Sequence, residues 1–218
     1  MAAAPRLRAR LRGRSRFGAA KARRVQLALA VACAALAAWQ LGAAGLILAK
    51  AVLAQHLLES AWSRTLAGER QAKPWPWADT WPVARLLVPA RGIDLVVLAG
   101  ASGRTLAFGP GHLDGTSLPG EPGVSVIGGH RDTHLAFLRD LAPGSAVAIE
   151  RADGRRVAYR VAEARIADAR TDAIDADAPG SRLVLVTCYP FDAVVPGGPL
   201  RYVVFADPIA APEAAALQ

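Results

Sequence analysis

The sequence predicts a mainly β domain, a closed barrel or sandwich, carried on one N-terminal membrane-spanning helix. Three observations predict it. From about Ala84 the chain is a series of short apolar runs of strand length, separated by turns at regular intervals. Ahead of them lies an uncharged apolar run over residues 25–49, long enough to cross a bilayer as a helix. Between the two, three prolines in "KPWPWADTWPVA" break any helical continuation. There is no internal repeat, no phosphate-binding glycine loop and no paired-cysteine metal motif.

Residues 1–24 form a basic tail. They hold nine of the 26 Lys and Arg residues and no Asp or Glu, so the remaining 17 bases stand against 18 acids. The formal charge of +8 is therefore a property of the tail rather than of a folded basic face, and nucleic acid is not expected as a partner. The basic flank should remain cytoplasmic and the rest of the chain should lie on the far side of the inner membrane, in the periplasm or its equivalent. A cleaved signal peptide is the competing reading, but its apolar core would span only about 7–15 residues. A buried core helix is the third. The expectation is a retained single-pass anchor over 25–49.

Residues 50–83 read as a helical stalk followed by a Trp/Pro-rich linker. Leu53, Leu57, Leu58 and Trp62 recur near one helical face, and His56 reads as a helix-surface residue. Trp75, Trp77 and Trp81 lie in the linker, where they either rest at a membrane interface or pack on the following domain.

The domain itself is expected over 84–208. Its predicted strands are "ARLLVPA", "IDLVVLAG", "GVSVIGGH", "RLVLVTCY" and "LRYVVFAD", together with a hairpin in "AVAIERADGRRVAYRVAEARI" that turns at Asp153-Gly154. Val147 and Ile149 alternate on one arm; Val157, Tyr159 and Val161 alternate on the other. Short helices are expected at "GRTLAFG" and "DTHLAFLRDL", the second capped by Asp132. Residues 209–218 read as an unstructured tail.

Two cysteines are present, Cys33 inside the apolar span and Cys188 at the end of a strand. Exported compartments are oxidising and their cysteines are usually paired. Cys188 has no partner within the part expected to be exported, so it pairs between molecules, is a reactive thiol, or is buried and inert. A reactive thiol needs an acid/base and a group to hold the oxyanion. Of the four histidines, His130 ends a strand behind Gly128 and Gly129, which permit close backbone approach at a cleft. His112 and His134 are weaker candidates. Arg201 begins the strand after Cys188 and would lie beside it if the two strands pair.

"LVTCYPFDAVVPGGPLRYVVFA" resembles the Thr-Cys segment and following Arg strand of sortases. "GPGHLDGTSLPGEPGVSVIGGHRDTHLAFLRDL" resembles their His segment, where Gly-His-Arg follows an apolar strand. The combination is most similar to the Gram-negative, marine-type branch, class GN, over roughly residues 75–208. One departure is that Val184 stands where the family's Thr-Leu-x-Thr-Cys motif commonly opens with Thr, a position bearing on packing more than on chemistry.

The resemblance implies an eight-stranded sortase-like β-barrel with short helices. It implies Cys188 as nucleophile, His130 as general acid/base and Arg201 as the cation that positions substrate and holds the oxyanion, with Thr187 in substrate binding. The implied activity is cysteine transpeptidation: cleavage of an LPXTG-like C-terminal sorting signal of a client protein through a thioester, then transfer to an amine whose identity is open. No metal and no cofactor are expected. Two other readings carry less: an L,D-transpeptidase, whose Ser-His-Gly-Cys motif is replaced here by Thr187-Cys188-Tyr189, and a membrane-anchored binding module with an inert Cys188.

Overall fold

The apolar and β-branched runs beyond residue 82 fold as strands; Pro82–Val88 alternates buried and partly exposed side chains, whereas Gly123–Gly129, Ser181–Cys188 and Leu200–Pro208 hold runs buried on both faces. The structure is a computed structural model; it describes residues 5–195 and 197–209, with side chains from Lys21 onward. Eight strands are found among these residues: β1 (Pro82–Val88), β2 (Ile93–Ala99), β3 (Gly111–His112), β4 (Gly123–Gly129), β5 (Ala146–Arg151), β6 (Arg156–Asp168), β7 (Ser181–Cys188) and β8 (Leu200–Pro208). They close into a barrel in the order β1-β2-β3-β4-β7-β8-β6-β5. Closure leaves no long unpaired edge. The expected mainly β fold is therefore present as an eight-stranded barrel.

A single long helix, α1 (Pro5–Leu66), precedes the strands. The chain divides into two compact units, Met1–Val52 and Leu53–Gln218. In the first, the apolar side chains of 25–52 are exposed, and Lys21–Leu66 is the one helical stretch among the described residues long and apolar enough to cross a membrane. In the second, the last turns of α1 pack on the barrel. Leu58 and Trp62 are buried against Val96 and Leu98 on the outer face of β2. Gln55 Nε2 donates to the Phe108 carbonyl at 2.9 Å. Arg85 on β1 donates to Glu59 at 2.8 Å and also to Asp94 on β2. The compact unit thus takes in the end of the helical stalk, because Leu58 and Trp62 of its apolar face have a partner, while Leu53 stays exposed.

The linker tryptophans divide. Trp75 meets Phe108 edge to face at 4.9 Å between centroids, and Trp81 is half-buried, whereas Trp77 is 82% exposed.

The barrel interior is filled by Leu86, Val97, Ile127, Ile149, Leu183 and Val204 among others, all on inward-facing alternate positions. β7 has a second apolar face: Val184 and Val186 pack outward with Val126, Val203 and Phe205. That is why "RLVLV" shows no period of two.

Two local expectations change. The β5–β6 turn is longer than two residues. Arg151 N–H donates to the Arg155 carbonyl and Gly154 N–H to the Arg151 carbonyl, with Gly154 left-handed at φ 78°; this is a three-residue connection with glycine at the position that needs positive φ. The segment after His130 is not an α-helix capped by Asp132. It turns first, with Leu135 N–H donating to the His130 carbonyl, and forms only a 3-10 turn at Ala136–Asp140 with no side-chain cap. Burial of Leu135, Phe137 and Leu138 in the barrel mouth sets this path. The short helix α2 (Gly103–Leu106) does form, capped by Ser102. β3, a two-residue strand in the Gly/Pro-rich loop around His112, has no signal in the apolar pattern. Beyond Ile209 the expected tail lies outside the described residues.

Candidate active site

Cys188 is the last residue of β7, and strand register determines its neighbours. On one side β7 runs antiparallel to β8, with Cys188 opposite Arg201. Residues directly opposite in such a pair share a face with Cβ atoms roughly 4.5–5.5 Å apart. On the other side β7 runs parallel to β4, and the ladder ends at Gly129 opposite Thr187. One further step along both strands brings His130 level with Cys188. Three residues separated by up to 71 positions in sequence thus meet at one end of one sheet. Cys188 is a half-buried free thiol, Arg201 is half-buried and His130 is exposed.

Several contacts hold this end in place. Thr187 is 2% exposed, and its hydroxyl donates to the Gly129 carbonyl at 2.8 Å. The side chain expected to meet substrate is turned inward and ties the Cys strand to the His strand. Gly129 has to be glycine: a Cβ there would lie 2.7 Å from Leu135 Cγ. Leu135 in turn anchors the turn that follows His130. Tyr189 N–H donates to the Leu200 carbonyl at 3.0 Å and carries the β7–β8 ladder past the thiol. Tyr189, Phe191 and Tyr202 form an aromatic cluster at centroid distances of 5.2–6.3 Å, with the Arg139 guanidinium 5.0 Å above Phe191.

Arg201 Nη1 donates to the carbonyls of Gly198 at 2.8 Å and Leu200 at 2.9 Å. Its other N–H groups take no protein partner among the described residues, so they can reach a substrate oxygen. Arg131, next to His130, reaches across to the loop between β7 and β8, donating to the Ala193 carbonyl at 2.8 Å and to that of Val195 at 3.4 Å.

Beside this cluster, on the outer face of the sheet, lies a cavity of about 340 Å³. Val126, Val186, Val203 and Ala167 form its floor, Ile174 of the β6–β7 loop covers it, and Arg201 closes the end nearest Cys188. Such a mostly apolar concavity ending in a cation suits an extended peptide.

The other histidines are placed apart from the thiol or held in the framework. His56 is exposed on α1. His112 is buried, its Nε2 within 2.9 Å of the Ser117 carbonyl and 3.0 Å of the Thr116 hydroxyl. His134 is half-buried in the turn after His130. Burial lowers its pKa, the nearby His130 lowers it further, and Asp132 partly offsets them. Among the described residues no three His, Cys, Asp or Glu side chains cluster as metal ligands would.

Sequence reasoning missed the Thr187 latch, the aromatic cluster and the reach of Arg131. The aromatic residues at 189, 191 and 202, bracketing the loop, were the available signal. The Arg131 contact spans 62 positions and has none.

Comparison with known proteins gives one consistent result. Residues 86–209 match the family model for the sortase domain. Sortase D of Bacillus subtilis is 30% identical over 121 residues, 55% of this chain and 60% of that protein, so the match spans less than two thirds of the relative's length. The crystal structure of sortase C-1 from Actinomyces oris is similar with a TM-score of 0.52 and 29% identity, covering 59% of this chain and 75% of that one. The structure of Clostridium perfringens sortase C with the C-terminal cell wall sorting motif is similar in fold, with a TM-score of 0.52 at 21% identity, covering 74% of this chain and 90% of that one.

Proposed function

Because the chain belongs to the sortase family of cysteine transpeptidases, we propose that it is a membrane-anchored transpeptidase that cleaves a client protein at a C-terminal sorting signal. The observation that carries this reading is the register that sets Cys188 opposite Arg201 and one ladder step from His130.

In the first step the Cys188 sulfur attacks the scissile carbonyl carbon and its proton passes to the His130 imidazole. The oxyanion so formed is held by the Arg201 guanidinium. Removing one such donor typically costs about 10²–10³ in rate. Collapse of the tetrahedral species breaks the C–N bond, His130 returns the proton to the leaving amine, and a thioester remains on Cys188. In the second step an acceptor amine attacks the thioester. His130 takes its proton, the C–S bond breaks and the thiol is regenerated. The chemistry needs no metal or cofactor. Thr187 serves substrate binding indirectly, by holding the β4 and β7 ends in register.

The finer assignments belong to the same proposal. The branch is class GN. The signal is LPXTG-like and occupies the cavity above Val186 and Val203; the Clostridium perfringens structure with its sorting motif supports this class of ligand. Residues 1–24 are a cytoplasmic tail, 25–49 span the inner membrane and 50–83 link to a periplasmic catalytic domain over 84–208. The uncovered apolar side chains of 25–52 behind a basic flank support the anchor.

The test is intact-mass analysis of the chain after incubation with candidate signal peptides. An adduct equal to the acyl fragment, mapped to Cys188 and discharged by added amine, is the expected result. Adducts that persist in Cys188→Ala, or none with any signal, would overturn the reading.

A further inference from the structure

The Gly-His-Arg run contributes more than its histidine. We propose that Arg131 is a positioning residue for the transpeptidase reading above, on which this inference rests. Its guanidinium braces the loop that joins Cys188 to Arg201 against the turn that carries His130, and so sets the three groups' mutual placement.

The loop over residues 189–199 begins directly after the thiol and ends one residue before Arg201. It therefore has to be held if both ends are to face one peptide. Arg201 holds its far end through Gly198 and Leu200. The aromatic cluster holds its near end. The middle is different. Gly197 and Gly198 both take positive φ, Val194 and Val195 are 97% and 75% exposed, and neither valine has a packing partner in the two barrel clusters. Among the described residues, the hydrogen bonds that reach this middle from the His130 turn are the two from Arg131 Nη2 to the Ala193 and Val195 carbonyls.

The other end of the brace is equally short. Arg131 is bonded through the main chain to His130, whose ring takes no hydrogen bond among the described residues. The path of the chain out of β4, fixed by Thr187 on Gly129 and by Leu135 on the His130 carbonyl, then locates the imidazole. Stability alone does not explain an arginine at this point. Its Nη1 is buried without a partner among the described residues, and an unmet buried donor is unfavourable. What the position uses is a long, charged side chain whose single nitrogen, Nη2, reaches two loop carbonyls at once.

The experiment compares the full-length chain in detergent micelles with Arg131→Gln, Arg131→Lys and Cys188→Ala. Amide hydrogen exchange of residues 130–135 and 189–199 is read by mass spectrometry and needs no substrate. Turnover and thioester formation are read with a quenched fluorogenic peptide containing Leu-Pro-Ala-Thr-Gly. Arg131→Gln should speed exchange in both segments about tenfold or more, leave β4, β7 and β8 protected, and lower kcat about 10–100-fold with a smaller change in KM, the size of loss that displaced catalytic groups produce. Arg131→Lys, which keeps a charged multiple donor on a shorter side chain, should fall between; it also serves if the Gln variant loses its fold. Unchanged exchange over 189–199 in the substituted chains overturns the proposal, as does kcat within twofold of the unsubstituted protein despite faster exchange. Turnover by Cys188→Ala would instead overturn the transpeptidase reading, leaving the exchange data to judge the brace by itself.

Discussion

The barrel turns apolar side chains outward in two places, and it covers them in different ways. On β2, Val96 and Leu98 are sealed by Leu58 and Trp62 of α1, with Arg85, Glu59 and Asp94 as a charged border. On β4, β7 and β8, the outward residues Val126, Val186 and Val203 are roofed only by loop residues such as Ile174 and Leu113, and a cavity of about 340 Å³ remains. A helical cover brings a regular face whose side chains interlock with the strands, and it closes the surface. A loop cover has fewer buried contacts and opens at lower free energy. The first region is therefore architecture, and the second is the face on which the proposed peptide site lies.

This contrast can be broken most completely at the thiol. Cys188→Ala should abolish thioester formation and turnover while leaving the thermal unfolding midpoint unchanged, as measured by mass spectrometry and circular dichroism. Loss of the fold together with activity would mean that the open face is also architecture. The next largest effect is expected on the sealed face. Trp62→Ala should destabilise the domain by about 3–5 kcal/mol, read by chemical denaturation, with turnover per folded molecule retained. A stability loss below about 1 kcal/mol would show that the helix end is not packed as described.

Arg201→Lys sharpens the comparison from the open side. A point charge cannot reproduce the planar fork that spans Gly198, Leu200 and a substrate oxygen, so kcat should fall about 10–100-fold with little change in stability. Equal kcat would make the residue a strand-end support.

The smallest effect concerns the rim of the loop roof. Hydrogen bonds from the Arg170 side chain and main chain hold the Asp168 carboxyl at a pKa of about 2, with nearby Arg201 lowering it as well. The folded value is depressed, so this contribution to stability is complete above the ordinary carboxylate range near 3.8 and is lost as pH falls through about 2. A carboxyl NMR titration should show the low midpoint, and Arg170→Ala should move it upward. No movement would remove the ion pair as its cause.

Much of this could be read in one dimension. The uncharged run over 25–49 needs only length and composition. The arms of the β5–β6 hairpin follow from alternation, although the geometry of the turn between them does not. β7 is legible as a strand because apolar residues occupy both of its faces, and Cys188 stands out as the one cysteine outside the apolar span. The pairing of β4 with β7 was less accessible. It is parallel and joins segments 58 residues apart, and no local period records which distant strand lies alongside. The seating of the α1 terminus on β2 was hidden for the same reason, since an amphipathic stripe does not name its partner.

By itself, the order of residues determined the strand segments, the apolar span and the chemical types brought to the site, because these depend on side-chain polarity and short-range backbone preference. Only the closed sheet decided that Cys188 lies between His130 and Arg201, that Thr187 turns inward, and that one outer face is sealed while the other stays open. Those outcomes depend on register between distant strands, and register is set when the whole core packs at once.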